Sequence, residues 1–215
     1  MTDITEYNTF AEGGNPALAT SPNDRERALA IIRNEHMSLA LVLIEMERVV
    51  GEVRILRTAF DCGVLREMLD YVKNFVDKLH HPKEDLYLFA RLSQRTRAVD
   101  QEISELQDSH AAGEARMTRL EHFLGKLRAG TPRAIAAFCA ELDCFVHEQW
   151  LHMHLEESVV FRAAETYLLP ADWAEIAAAF GENGDSRFGQ GPDQAFQEKY
   201  SNIMASLWRG AYITR

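Results

Sequence analysis

Residues 132–170, PRAIAAFCAELDCFVHEQWLHMHLEESVVFRAAETYLLP, carry no internal glycine or proline and are bounded by a proline at each end. Ile135, Phe138, Leu142, Phe145, Leu155, Val159 and Val160 fall three and four apart, the spacing of one helix face. Gly130-Thr131-Pro132 ahead of the stretch is a helix stop followed by a new start, and Pro170 ends it. A helix this long with a single apolar face must bury that face against partners, so the fold is decided by what else shares the pattern.

Three other segments do. From Arg25 to about Leu56, Leu29, Ile32, Leu39, Leu43 and Val50 keep the helical period behind a cap at Ser21-Pro22-Asn23-Asp24. From Val64 to about Ser93 the pattern is Leu65, Met68, Val72, Phe75, Val76, Leu79, Leu86 and Phe89, interrupted by Pro82, which is expected to kink the helix or start a new turn. From about Arg97 to Arg128 it is Ile103, Leu106, Met117, Leu120, Leu124 and Leu127. Four long helices with short joints predict an all-α antiparallel four-helix bundle. Short additional C-terminal helices are expected at Asp172–Phe180 and Gln194–Trp208, separated by a Gly/Asp-rich loop. The expected organisation is a tail over residues 1–24, the bundle over 25–182, and a loop and helix over 183–215 that pack back on it. Phe196, Tyr200, Ile203, Met204 and Leu207 in that last helix suit core packing or a homodimer contact. Its polar side is not basic, which argues against a membrane-surface helix.

Of the 215 residues 47% are hydrophobic and 26% charged, enough apolar side chain for a substantial core. A formal charge of −10 disfavours binding to phosphate backbones, so nucleic acid is not an expected partner. Cys62, Cys139 and Cys144 form no CxxC pair, and the first 20 residues lack a basic start and an apolar run. Together these point to a cytoplasmic chain with reduced thiols, without export or a membrane span; Cys139 and Cys144 read as core residues. The acidic runs Glu45–Glu52 and Glu102–Asp108 read as solvated helix faces.

The eight histidines carry the chemistry. His80, His110 and His152 are each followed four residues later by a glutamate, Glu84, Glu114 and Glu156, where chance placement of 8 histidines among the glutamates would give about one such pair. Residues four apart on a helix point the same way, so each pair offers an imidazole and a carboxylate to one point. His36 lies among Ile32, Leu39 and Leu43 on the apolar side of the first helix and fits as a single ligand. The inward set is then His36, His80, Glu84, His110, Glu114, His152 and Glu156. It mixes nitrogen and oxygen without thiolate, which suits iron or manganese, and also zinc, better than copper(I). Seven ligands exceed one tetrahedral ion and are about right for two metals bridged by carboxylates. Glu157 and His147 are alternative ligands, the latter if the fourth helix is rotated. His81 and Asp85, one position round from His80 and Glu84, read as outer or surface groups. His122 and His154 read as solvated, and Tyr87 as a packing residue.

These phrases, Arg33-Asn34-Glu35-His36, His80-His81-Pro82-Lys83-Glu84-Asp85, His110-Ala111-Ala112-Gly113-Glu114 and His152-Met153-His154-Leu155-Glu156-Glu157 followed by Phe161, resemble those of the hemerythrin-like, or HHE cation-binding, family over roughly residues 25–182. The resemblance implies a four-helix bundle holding two non-haem iron ions through the seven residues named. The oxygen-carrying hemerythrins have a second histidine four residues after the first in helix three and His-x-x-x-x-Asp in helix four. Glu114 in place of that histidine is similar to the branch linked to iron handling, oxygen or nitric oxide response and repair of iron centres. The implied function is sensing, storing or reacting with oxygen, peroxide or nitric oxide at a vacant metal position, or handling iron for repair. The rivals are a di-iron enzyme, reducing nitric oxide or peroxide or acting like a ferroxidase, and a helical interaction module with structural or no metal. Ferritin-like bundles use Glu-x-x-His, the reverse order at a spacing of three, which counts against that fold here.

Overall fold

A computed structural model describes residues 24–56, 62–127, 131–182 and Ala205. The tail and the segment beyond Glu182, Ala205 excepted, lie outside the described residues, and so does the C-terminal helix expected there.

Helix α1 is Asp24–Leu56, with Asp24 and Glu26 in its first turn, where the exposed amides favour negative charge. Helix α2 is one continuous rod over residues 62–95. It does not break at Pro82; two stretches of wide, π-helical turn, Val72–His80 and Glu84–Phe89, flank the proline instead. The His81 amide donates to the Val76 carbonyl, five residues back, and Ala90 to Asp85 in the same way. The helix thus runs on through Pro82 in a wider hydrogen-bonding register on either side of it.

Helix α3 covers residues 100–127 in two pieces, Asp100–Ala111 and Gly113–Leu127, joined at Ala112, whose ψ of −8° is far from the α-helical value. Helix α4 covers residues 132–167. Thr131 caps it by accepting from the Ala134 amide at 3.2 Å, and a wide turn occupies Glu156–Val160. Helix α5 is Pro170–Gly181, packed along α1. Asp172 ties its start down by accepting from the Leu169 amide at 2.8 Å and from the Arg95 guanidinium at 2.8 and 2.9 Å.

The apolar side chains form two separate clusters, one at each end of the bundle. One holds Leu39–Val53 of α1, Leu65–Val76 of α2, Met117–Leu127 of α3 and Phe138–Val146 of α4. The other holds Ala28–Ile32, Leu88–Leu92, Val99–Leu106 and Val160–Leu168, with Trp173–Phe180 of α5 closing it. Each successive helix crosses from one cluster to the other in the opposite direction, which is the antiparallel up-down order expected. Where the four helices cross over, the buried side chains are polar: Glu35, His36, His80, His81, Glu84, His152 and Glu156. Buried ionisable groups gathered in one layer are costly unless they pair or hold a cation, so this layer is the place to look for function.

Two sequence readings change. Glu45 does not lie on a solvated face; it is fully buried and held at both carboxylate oxygens by Arg48 at 2.6 Å. Cys144 is exposed, with its sulfur 3.5 Å from Glu148, whereas Cys139 is buried as expected and its thiol pKa is raised by that burial. Among the described residues no helix is long and apolar enough to cross a membrane.

Candidate metal centre

Glu84 is the middle of the polar layer. It is fully buried, its Oε1 lies 2.8 Å from His80 Nε2 and 3.6 Å from His36 Nε2, and its Oε2 lies 3.6 Å from His110 Nε2. One carboxylate therefore faces histidines of three helices, with its two oxygens turned to different partners. The donor atoms fall into two groups that share it. In one, atoms of His36, His80 and Glu84 lie within 4.8 Å of one another; in the other, atoms of His81, Glu84, His110 and His152 do. Glu156 closes the layer from α4, with Oε2 3.3 Å from His36 Nε2.

Carboxylates behind the rings set their orientation. His36 Nδ1 donates to Glu157 at 2.7 Å, His80 Nδ1 to Glu35 at 2.7 Å, and His110 Nδ1 to Asp85 at 3.0 Å. An ionised carboxylate only accepts, so Nδ1 carries the proton in each ring and the Nε2 lone pair is left for the centre. His81 stacks on His110 with centroids 4.0 Å apart, and Phe161 stacks on His36 at 5.8 Å.

His110 Nε2 and His152 Nε2 lie 3.2 Å apart, within hydrogen-bond distance, but other donors are not satisfied. His36 Nε2 and all four carboxylate oxygens of Glu84 and Glu156 are buried without a hydrogen-bond partner. Unpaired polar atoms from different helices converging on a shared carboxylate are the arrangement a cation completes, and imidazole with carboxylate is a donor set for first-row divalent metals.

Without a cation the charges sort unevenly. Burial opposes charge on His80, yet Glu84 and Glu35 raise its pKa to about 10. Burial likewise opposes charge on His36, but Glu156, Glu157 and Glu84 together move it well above the ordinary imidazole value. His152 moves the other way, down to about 3, and His81 falls well below its usual value, both because burial disfavours the imidazolium. Burial and the neighbouring Glu84 charge raise Glu156 to about 7. Glu84 itself lies well below the usual carboxylate range despite its burial, held there by His80 and His36.

The structure thus brings together His36, His80, Glu84, His110, His152 and Glu156. It does not bring Glu114, which is exposed. The inward stripe of α3, Ile103, Leu106, His110, Gly113, Met117, Leu120, Leu124 and Leu127, steps by three and four, and after His110 it takes position 113, which leaves Glu114 on the outer side. His81 occupies the centre instead of standing outside it, while Asp85 is an outer group, as expected. His147 is exposed and takes no part; Glu157 serves behind His36 with its side chain 43% exposed. His122 and His154 are exposed, and Tyr87 packs beside the apolar cluster. Glu35, which holds His80 Nδ1, is a residue the sequence reading passed over.

A signal for His81 was present. On a helix Glu84 projects about 40° round from position 80 and about 60° from position 81, so it stands between two adjacent histidines and can serve both. Beside the layer, a groove of about 630 Å³ between α1 and α4 is lined by Arg33, Met37, Ala40, Trp150 and Met153 and includes His36 and Glu157.

Residues 27–164 match the hemerythrin HHE cation-binding domain. The chain belongs to that family. It is also similar to uncharacterized proteins of Mycobacterium bovis and of two strains of Mycobacterium tuberculosis, each 23% identical over 143 residues. The similarity covers 66% of this chain and 56% of each of those proteins, so the chain spans little more than half their length. No solved structure matches significantly. Members of this hemerythrin family bind cations, and here the His and Glu side chains are positioned to hold metal.

Proposed function

We propose that this hemerythrin-family chain is a non-haem di-iron protein that reacts with a small oxidant: dioxygen, peroxide or nitric oxide. The observation that carries the reading is the sharing of Glu84 by two groups of donors, each contributed by more than one helix. His36 and His80 would hold one iron, His81, His110 and His152 the other, with Glu84 between them and Glu156 beside His36. Mixed imidazole and carboxylate ligation without thiolate favours iron over copper(I), while manganese and zinc share the same donor preferences. Bound iron would supply a ferrous–ferric couple and a coordination position for the small molecule.

The chain's own residues supply the rest. Glu157, Glu35 and Asp85 keep the Nδ1 protons of His36, His80 and His110 in place, so that each ring presents a lone pair. The apolar clusters on either side exclude bulk water and strengthen each electrostatic contact in the layer. The groove that includes His36 gives a small molecule a path to one edge of the centre. Sensing, storage, turnover and iron handling are all uses to which such a centre could be put, and reactivity separates them.

The test is metal content and visible absorption of protein from iron-replete cells, before and after anaerobic reduction and exposure to dioxygen, peroxide and nitric oxide, beside His80→Ala. About two irons per chain, with ferric absorption that returns on oxidation and is lost in the variant, is the expected result. A colourless chain that holds only zinc, or no metal, overturns the reading.

A further inference from the structure

The residue that follows His110 on the inward stripe of α3 is a glycine, and its missing side chain lets α3 approach α2 closely. Gly113 is buried against the Asp77 side chain: a Cβ at that position would stand 3.2 Å from Asp77 Cγ and Oδ1 and 3.3 Å from Oδ2. Those distances are tighter than ordinary van der Waals contact, so a side chain at 113 displaces Asp77. Asp77 Oδ1 in turn lies 3.4 Å from His81 Nδ1, four residues along α2, and its Oδ2 is buried with no hydrogen-bond partner. His81 belongs to the donor group of His110 and His152, and the carboxylates that orient His36 and His80 are Glu157 and Glu35, from other parts of the bundle. The two donor groups therefore rest on different outer carboxylates.

We infer that Asp77, seated against Gly113, is the positioning residue that holds His81 at the second metal position, so that this position can be emptied while the first stays filled. The inference rests on the two-metal reading above. A carboxylate behind a ligating imidazole fixes its tautomer and ring angle, and removing such a partner typically lowers metal affinity about 10–100-fold. Asp77 and His81 are too far apart for a firm hydrogen bond, so closing that gap takes only a small shift, and whether it closes depends on the space Gly113 leaves.

The experiment uses the full chain and ferrous iron under anaerobic conditions. Metal per chain is measured against free iron for wild type, Asp77→Ala, Asp77→Asn and Gly113→Val, with far-UV circular dichroism as the check on folding. Wild type is expected to bind about two irons. Asp77→Ala and Gly113→Val are expected to keep one at wild-type affinity and bind the other about 10–100-fold more weakly, while Asp77→Asn, which retains an accepting oxygen, stays near wild type. Gly113→Ala, a gentler intrusion, is expected to weaken the same position and decides the matter if the larger substitutions do not fold. Two irons at unchanged affinity in the folded variants overturn this inference and leave the two-metal reading standing. Equal weakening of both irons also overturns it. A wild type that binds no metal overturns both.

Discussion

Replacing Glu84 by glutamine tests the shared-carboxylate geometry more sharply than any other substitution. The side chain is fully buried and belongs to both donor groups, so one near-isosteric change should disable both metal positions, whereas His152→Gln reaches only one. A ligand held at about 100 times its dissociation constant stabilises the folded chain by about 2.7 kcal/mol per site, or about 5 kcal/mol for two. For a chain of this size each kcal/mol moves the melting temperature by about 2–4 °C, which gives a metal-dependent rise of roughly 10–20 °C in wild type. Differential scanning calorimetry of chelator-stripped and iron-reloaded protein reads this rise directly, and the stripped form of each variant serves as its own control. The rise should vanish in Glu84→Gln and fall by about half in His152→Gln. A Glu84→Gln protein that keeps more than half of it, or a His152→Gln protein that loses as much as Glu84→Gln, would refute the reasoning.

Four further outcomes follow from the same geometry. Phe161 is fully buried and stacked on His36, so Phe161→Ala should cost about 3–5 kcal/mol in urea denaturation and weaken iron at the His36 position; an unchanged midpoint would show that the stack is idle. Asp172 holds both Arg95 and the start of α5, and Asp172→Ala should cost about 1–2 kcal/mol. Hydrogen bonding to Arg95 lowers the Asp172 carboxyl, so its contribution is present above the unfolded carboxylate pKa of about 3.9 and is lost as pH falls through the lower folded value; a variant whose acid transition matches wild type contradicts that. In the stripped protein, His81 and His152 refuse protons that the unfolded chain accepts below about pH 6.5, so stability drops on acidification from there, in the case of His152 down towards about 3. His80 holds its proton up to about 10, so its contribution is complete below about 6.5 and is lost as pH rises through that window; a melting temperature that changes monotonically from acid to alkali speaks against both shifts. Met37 lines the groove and is 53% exposed, so Met37→Trp should slow reaction of the reduced centre with dioxygen by about tenfold without changing iron content, and an unaltered rate would place the access route elsewhere.

Helix spacing made the bundle legible because the period of 3.6 is written locally: Ile135, Phe138, Leu142 and Phe145 announce a face whatever that face meets. The same local rule found His80 with Glu84 and His152 with Glu156, pairs whose side chains stay on the inward face even though a wide turn begins at each glutamate. It failed for Glu114 because a helical residue has same-side neighbours both three and four positions on, and packing buried Gly113. Spacing alone does not choose between the two, since the buried stripe of α3 steps by three and four along its whole length. It also undervalued His81, since ranking two adjacent histidines requires knowing that the carboxylate between them faces histidines of α1 and α3 as well as its own helix.

What the sequence by itself determined was four amphipathic helices and a set of buried imidazoles and carboxylates, because local periodicity and residue chemistry need no partner to be recognised. Tertiary structure decided which of those side chains meet. His81 and not Glu114 joins Glu84, His110 and His152, and Glu35, Glu157, Asp77 and Asp85 stand behind the rings. Contacts between helices depend on how each helix is rotated about its axis, which packing across the bundle sets and no single helix encodes.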